Sequence, residues 1–370
     1  MKRTFSKINL ALLALLSGAA PLAHAGELSS KSPAPVLDGV HCHPIRPDLL
    51  APIGVMYEHA HPAGGLMFGY RFSWDHDEGM RQGTSKISPE QIFLERAPDG
   101  NLYSATPLDM EMSMHMFEIM YAPTDWVTLM LMPMYMEMTM SMRAAPGGGG
   151  HGHGGMQGHG GQGAEMTHAT RGWGDTVLAA VFPVAESGGH SLLFNLGVSL
   201  PTGAVDLKHN GNLTHYMMQL GSGTWDVLPG ITYTGHNDQF SWGIQSIATW
   251  RAEGENESGY RLGDALDTTA WLATSLSDWL SLSSRVAWHH EGEIARHYNA
   301  PHKNSSPPDF QSNYGGDRID LGLGLNFLVP GGPLAGHRFG VEALAPVHQD
   351  VNGIQTNREI SIIAGWTFSY

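Results

Sequence analysis

The chain has 370 residues, 35 acidic against 20 basic side chains, and a formal net charge of −15. So few Lys and Arg exclude a nucleic-acid partner, because phosphate contacts need clustered basic residues; a weak attraction for cations fits the balance better. Abundant glycine (47) and scarce Ala-Glu-Lys runs point to strands rather than helices.

Residues 1–25 read as a secretory signal peptide: Lys2, Arg3 and Lys7 form the charged end, "INLALLALLSGAAPL" the apolar stretch, and "AHA" before Gly26 a small-residue cleavage site. Beyond it no 18-residue apolar run occurs, which excludes membrane-spanning helices. The single cysteine, Cys42, allows no internal disulfide. The Pro-rich residues 26–64 are expected to form a periplasmic N-terminal extension. It carries "HCHP", where Cys42 lies between His41 and His43, followed by "EHAH" with His59 and His61. A thiolate between two imidazoles suits a soft metal ion, with His59 and His61 able to close the site. A cysteine in such a tail is otherwise incidental.

From residue 65 onward apolar and polar residues alternate with period two over segments of about ten residues. Candidate strands are 65–73, 108–121, 127–142, 173–184, 191–200, 219–234, 240–251, 265–276, 280–290, 317–329, 337–346 and 358–370. Short links ("APTDW", "ESGGH", "GHNDQ", "SDW", "PGGPLAG") alternate with long ones near 74–107, 143–172, 201–218, 252–264, 291–316 and 347–357. An even strand number with one short and one long end predicts an all-β fold: an antiparallel transmembrane β-barrel of about twelve strands over 65–370, with short periplasmic turns and long extracellular loops. Its place is the outer membrane of a Gram-negative bacterium. Trp126 and Trp279, each closing a short turn, suit an interface girdle. A soluble β-sandwich would also alternate, but without this loop asymmetry. A barrel of this size encloses a narrow or partly plugged pore.

Methionine dominates one face of two neighbouring strands. Phe117, Ile119 and Tyr121 match Val127, Leu129 and Leu131 as lipid-facing residues. The opposite face then holds Met110, Met112, Met114, Met116 and Glu118 on one strand, and Met130, Met132, Met134, Met136, Met138, Met140 and Met142 on the next. Alternation therefore places a two-strand methionine ladder inside the barrel. Thioethers are soft ligands that suit Cu(I) or Ag(I), and a row of weak sites can pass an ion along. An apolar lining for a hydrophobic solute, or plain filler, would also use methionine. The glycine-rich loop at 143–172 adds His151, His153, His159 and His168, whose imidazoles can gather Cu(II), Zn(II) or Ni(II), or be incidental on a solvated tether. Further lumen-lining candidates are Arg71, Asp226, Arg251, Arg285, Asp320, Arg338, Glu342 and Glu359.

An enzyme is not expected. No nucleophile-elbow glycine motif occurs, and His215, Asp264 and Asp267 are an acid–base set only if the fold brings them together. His289 and His290 are strand neighbours and point to opposite faces. No cofactor is required; Cu(I) or Cu(II) is expected as ligand or substrate.

The terminal "GWTFSY" resembles the signal that outer-membrane barrels show their insertion machinery, through Gly365, Phe368 and Tyr370, although Ala364 stands where that signal is usually polar. The insertion machinery and outer-membrane lipid are therefore expected partners. "GVMYEHAHPAGGLMFGYRF", "MYAPTDWVTLMLMPMY", "RGWGDTVLAAVF", "LGVSLPTGAVD", "MQLGSGTWDVLPGITY" and "GYRLGD" resemble the bacterial outer-membrane barrels of the phenol-degradation MetA-pathway, or transporter-like, family. That resemblance runs from about residue 53 to the end and implies a barrel that passes small molecules. Two functions follow as expectations: transport of soft, copper-like metal ions along the methionines, or passive passage of small hydrophobic or aromatic compounds.

Overall fold

The computed structural model of the protein describes residues 46–146 and 163–370. The expected signal peptide, His41, Cys42, His43, His151, His153 and His159 lie outside the described residues.

The wall is a closed antiparallel meander. In chain order its strands are β1 (Leu66–Gly83), β2 (Ala105–Thr124), β3 (Val127–Met132 continued by Met134–Ala144), β4 (Glu165–Trp173 continued by Thr176–Ser187) and β5 (His190–Leu200). Then come β6 (Asp226–His236), β7 (Phe240–Arg251), β8 (Ala265–Ser277), β9 (Leu280–Glu291) and β10 (Gly316–Leu328). The final ladder His337–Ser369 supplies two strands, because residues 338–351 pair with β10 and residues 351–369 pair with β1. It folds back at Asn352-Gly353, where Gly353 has φ +56° and His337 returns to stack on Phe368. We call these halves β11 and β12. From β1 to β11 each strand pairs with its sequence neighbour, β12 follows β11 through the turn, and β1–β12 pairing shuts the ring at twelve strands. Closure satisfies the ladder groups within lipid, where no water can do so.

A belt of exposed apolar side chains girds the ring, among them Ile119, Leu131, Leu178, Ile231, Ile244, Leu272 and Leu323. Aromatic residues bound it at both ends. Trp126 stacks on Phe182 and Trp279 on Phe327 near the short turns, while Trp173 meets Tyr135 and Phe117 at the other edge. Above Tyr135 the outward residues Glu137, Thr139 and Ser141 are polar, so β2, β3 and β4 rise beyond the lipid. Residues 165–172, expected in the long loop, belong to β4. Pro133, which lacks an N–H, interrupts β3, and the Gly174-Asp175 step interrupts β4 beside it.

Two inserts fill the ring. Residues 46–64, expected below the barrel, lie inside it at the short-turn end, with Ala51, Ile53, Val55 and Tyr57 buried. Inward side chains hold their backbone: Arg71 Nε donates to Ile53 O (2.9 Å), Gln245 to Met56 O (2.5 Å), Asn326 to Leu50 O (3.1 Å) and Ser281 to Pro47 O (3.0 Å). The plug fits because Gly54 has no Cβ; one there would lie 2.6 Å from Arg285 Nη2 and from Glu342 Oε2. At the other end, the loops between β5 and β6, β7 and β8, and β9 and β10 pack into a cap. Tyr216, Tyr260 and Tyr298 form its core with Val205, Leu213 and Ile294, and Tyr216 stacks on Tyr298 at 4.1 Å. Residues 219–225 alternate like a strand but belong to this cap.

Candidate functional site

The methionines pair across β2 and β3 as the alternation requires: Met110 with Met140, Met112 with Met138, Met114 with Met136, and Met116 with Met134. The plug and the cap cut this ladder into three parts. Met120, Met130 and Met132 pack with Met67 and Tyr57 of the plug. Met110, Met138, Met140 and Met142 pack with Met218 and Leu220 of the cap. Between them Met114, Met116, Met132, Met134 and Met136 line a chamber of about 610 Å³, floored by Gly54, Val55, Met56 and Tyr57 and roofed by Leu220 and Ser222.

The rest of the lumen wall is charged and internally paired. Arg285 reaches Glu342 through two bonds (2.7 and 2.9 Å), and Arg358 pairs with Asp75 at 2.8 Å. Arg251 meets Asp226 at 2.5 Å, and Arg318 meets Asp320 at 2.9 Å. Lower down, Arg71 pairs with Glu118 at 2.5 Å, and Arg338 lies 3.5 Å from Glu58 of the plug. The chamber is therefore two-faced, with soft apolar sulfur on one side and neutralised ion pairs on the other.

The expected lumen residues point inward with one exception. A β-bulge between the pairs His76–Ile360 and Asp77–Arg358 displaces Glu359, which pairs with Lys86 instead. Arg358 takes the inward place, a substitution that strict alternation could not anticipate. The plug carbonyls, Glu58 and the cap residues were also missed, since none lies on an alternating strand, and Asp75 was missed because β1 runs on to Gly83, past the expected end at residue 73. His215, Asp264 and Asp267 do not meet: they pair with Asp309, Arg261 and His289 respectively. His289 and His290 likewise keep separate partners, Asp267 and Asp317.

Among the described residues, no group of three or more His, Cys, Asp or Glu side chains is arranged to hold a metal ion. His59 and His61 do meet, Nε2 to Nε2 at 3.2 Å, at the short-turn end of the plug. His168 lies against His215 and His209 under the cap, above the lipid belt. Burial first, then these two imidazoles, pushes His168 down to about 4.

Three of the quoted family segments meet at the cap. Asp175 of "GWGD" accepts from Gly203 N of "PTGAVD" (2.9 Å) and from Ser222 N of "LGSGTWD" (2.7 Å). A Cβ at Gly221 would sit 2.4 Å from the same carboxylate. One carboxylate thus ties three distant segments where β4 breaks.

A family model described as "Putative MetA-pathway of phenol degradation" matches residues 136–332. The chain belongs to that family. Among solved structures, an outer-membrane channel from Pseudomonas putida F1 is 14% identical, with a TM-score of 0.52 over 85% of this chain and 98% of that one. A Pseudomonas aeruginosa FadL homologue (10% identity, TM-score 0.39, 82% and 90% covered) and a mutant of the monoaromatic hydrocarbon channel TodX (7%, 0.43, 86% and 93%) are more remote. No curated protein matches the chain. Family and fold make this protein an outer-membrane β-barrel.

Proposed function

We propose that the barrel passes small, largely apolar, neutral molecules, aromatic ones included, across the outer membrane by way of the methionine-walled chamber. The observation that carries this reading is the two-faced lining itself. Five flexible thioethers adapt to a ring and make favourable sulfur–aromatic contacts, while the paired charges opposite can accept or donate to a single polar substituent such as a phenolic hydroxyl. The family's association with a phenol-degradation pathway supports the same substrate class. Conduction of a soft metal along the whole ladder draws less support, because its upper and lower rungs are packed under the cap and against the plug.

The test is initial uptake of labelled phenol and toluene by cells with an intact lipopolysaccharide layer, with and without the gene. The barrel is expected to raise uptake several-fold. Met134→Arg should return it to background while the protein keeps its heat-modifiable gel mobility. Equal uptake with and without the gene would overturn the proposal.

A further inference from the structure

Beneath the cap, His215 Nε2 lies 3.3 Å from Met142 Sδ, and His215 Nδ1 lies 2.7 Å from Asp309 Oδ1. An ionised carboxylate only accepts, so it holds the ring proton on Nδ1 and leaves the Nε2 lone pair facing the sulfur. Asp309 is itself fixed by Ser306 N (2.9 Å) and Ser306 Oγ (2.8 Å). This is the carboxylate–histidine brace that orients metal-ligating imidazoles. Met142 and His215 are both buried. Beside them a cavity of about 20 Å³, bordered by His168, His209, Lys303 and Asp309, has room for one small ion or water.

We infer that Met142 and His215, with His168 as the adjacent third donor, form a binding site for a single soft monovalent cation, Cu(I) or Ag(I). Metal–nitrogen and metal–sulfur bonds of about 2.0 and 2.3 Å would span donors 3.3 Å apart at an angle of about 100° at the ion. The two donors therefore already stand at chelating separation. One thioether and one or two imidazoles make a soft, uncharged ligand set, which disfavours hard divalent cations. The site is distinct from the solute chamber and stands or falls separately from it.

The test is Cu(I) binding by the full-length barrel in detergent, by competition with a chromophoric Cu(I) chelator, beside Met142→Leu. Leucine keeps the packing and leaves the His215–Asp309 pair intact. The parent should bind one equivalent that the variant binds at least tenfold more weakly. X-ray absorption at that equivalent should show mixed sulfur and nitrogen ligands. Unchanged binding in Met142→Leu, nitrogen-only ligation, or no binding by the parent would each overturn the inference. Phenol uptake by the variant should equal the parent's.

Discussion

Deleting residues 46–61 turns the barrel from a poor conductor into an ion-conducting pore, with single-channel conductance in planar bilayers raised at least several-fold. The segment occupies the short-turn half of the lumen and is held by inward side chains of several strands, among them Arg71, Gln245, Ser281, Asn326 and Arg338. Twelve strands enclose more space than the side chains of their inner faces can fill, so removing the plug leaves water in its place. The freed groups are charged or polar and favour that water. The wall itself does not depend on the plug, since its strands are hydrogen-bonded to one another around the ring. Gly64 and Gly65, which bond to the chain at Ala122, stay in place. A folded deletion protein that conducts no better than the parent would show that the plug is not what closes the pore.

Glu342→Leu should destabilise the barrel by about 3–5 kcal/mol, because it leaves the Arg285 guanidinium buried without its counter-charge. Glu342 is fully enclosed, takes both bonds from Arg285, and also accepts from Gly54 N of the plug at 3.2 Å. The double variant Arg285→Met/Glu342→Leu removes both charges and should recover most of the loss, since a buried pair often does little better than an apolar replacement of similar volume. Urea unfolding in lipid vesicles gives the comparison. Equal midpoints for the single variant and the parent would mean that the pair is solvated rather than buried.

The ring was legible because period-two alternation is a local signal: Phe117, Ile119 and Tyr121 face lipid and Met116, Glu118 and Met120 face inward, as their spacing requires. The methionine ladder followed from the same rule. What escaped was whatever depends on long-range pairing. The plug has no alternation, and its backbone is satisfied by residues as far away as Arg338, 287 positions from Ala51. Residues 219–225 alternate but are drawn into the cap by Asp175, which only the folded chain brings near. Arg358 replaced Glu359 in the lumen through one bulged residue, and a one-residue slip reverses every face that alternation assigns. The chamber exists because plug and cap each cover part of the ladder, which neither strand pattern could reveal.

The most direct measurement of the central claim places a reporter in the chamber. In a Cys42→Ser background, Met134→Cys is treated with a small methanethiosulfonate reagent, with and without saturating toluene. Glu95→Cys, on an exposed outer loop, serves as control. The account predicts that toluene slows labelling at position 134 several-fold and leaves position 95 unchanged. Equal labelling at 134 in both conditions would mean that the methionine chamber does not hold the solute.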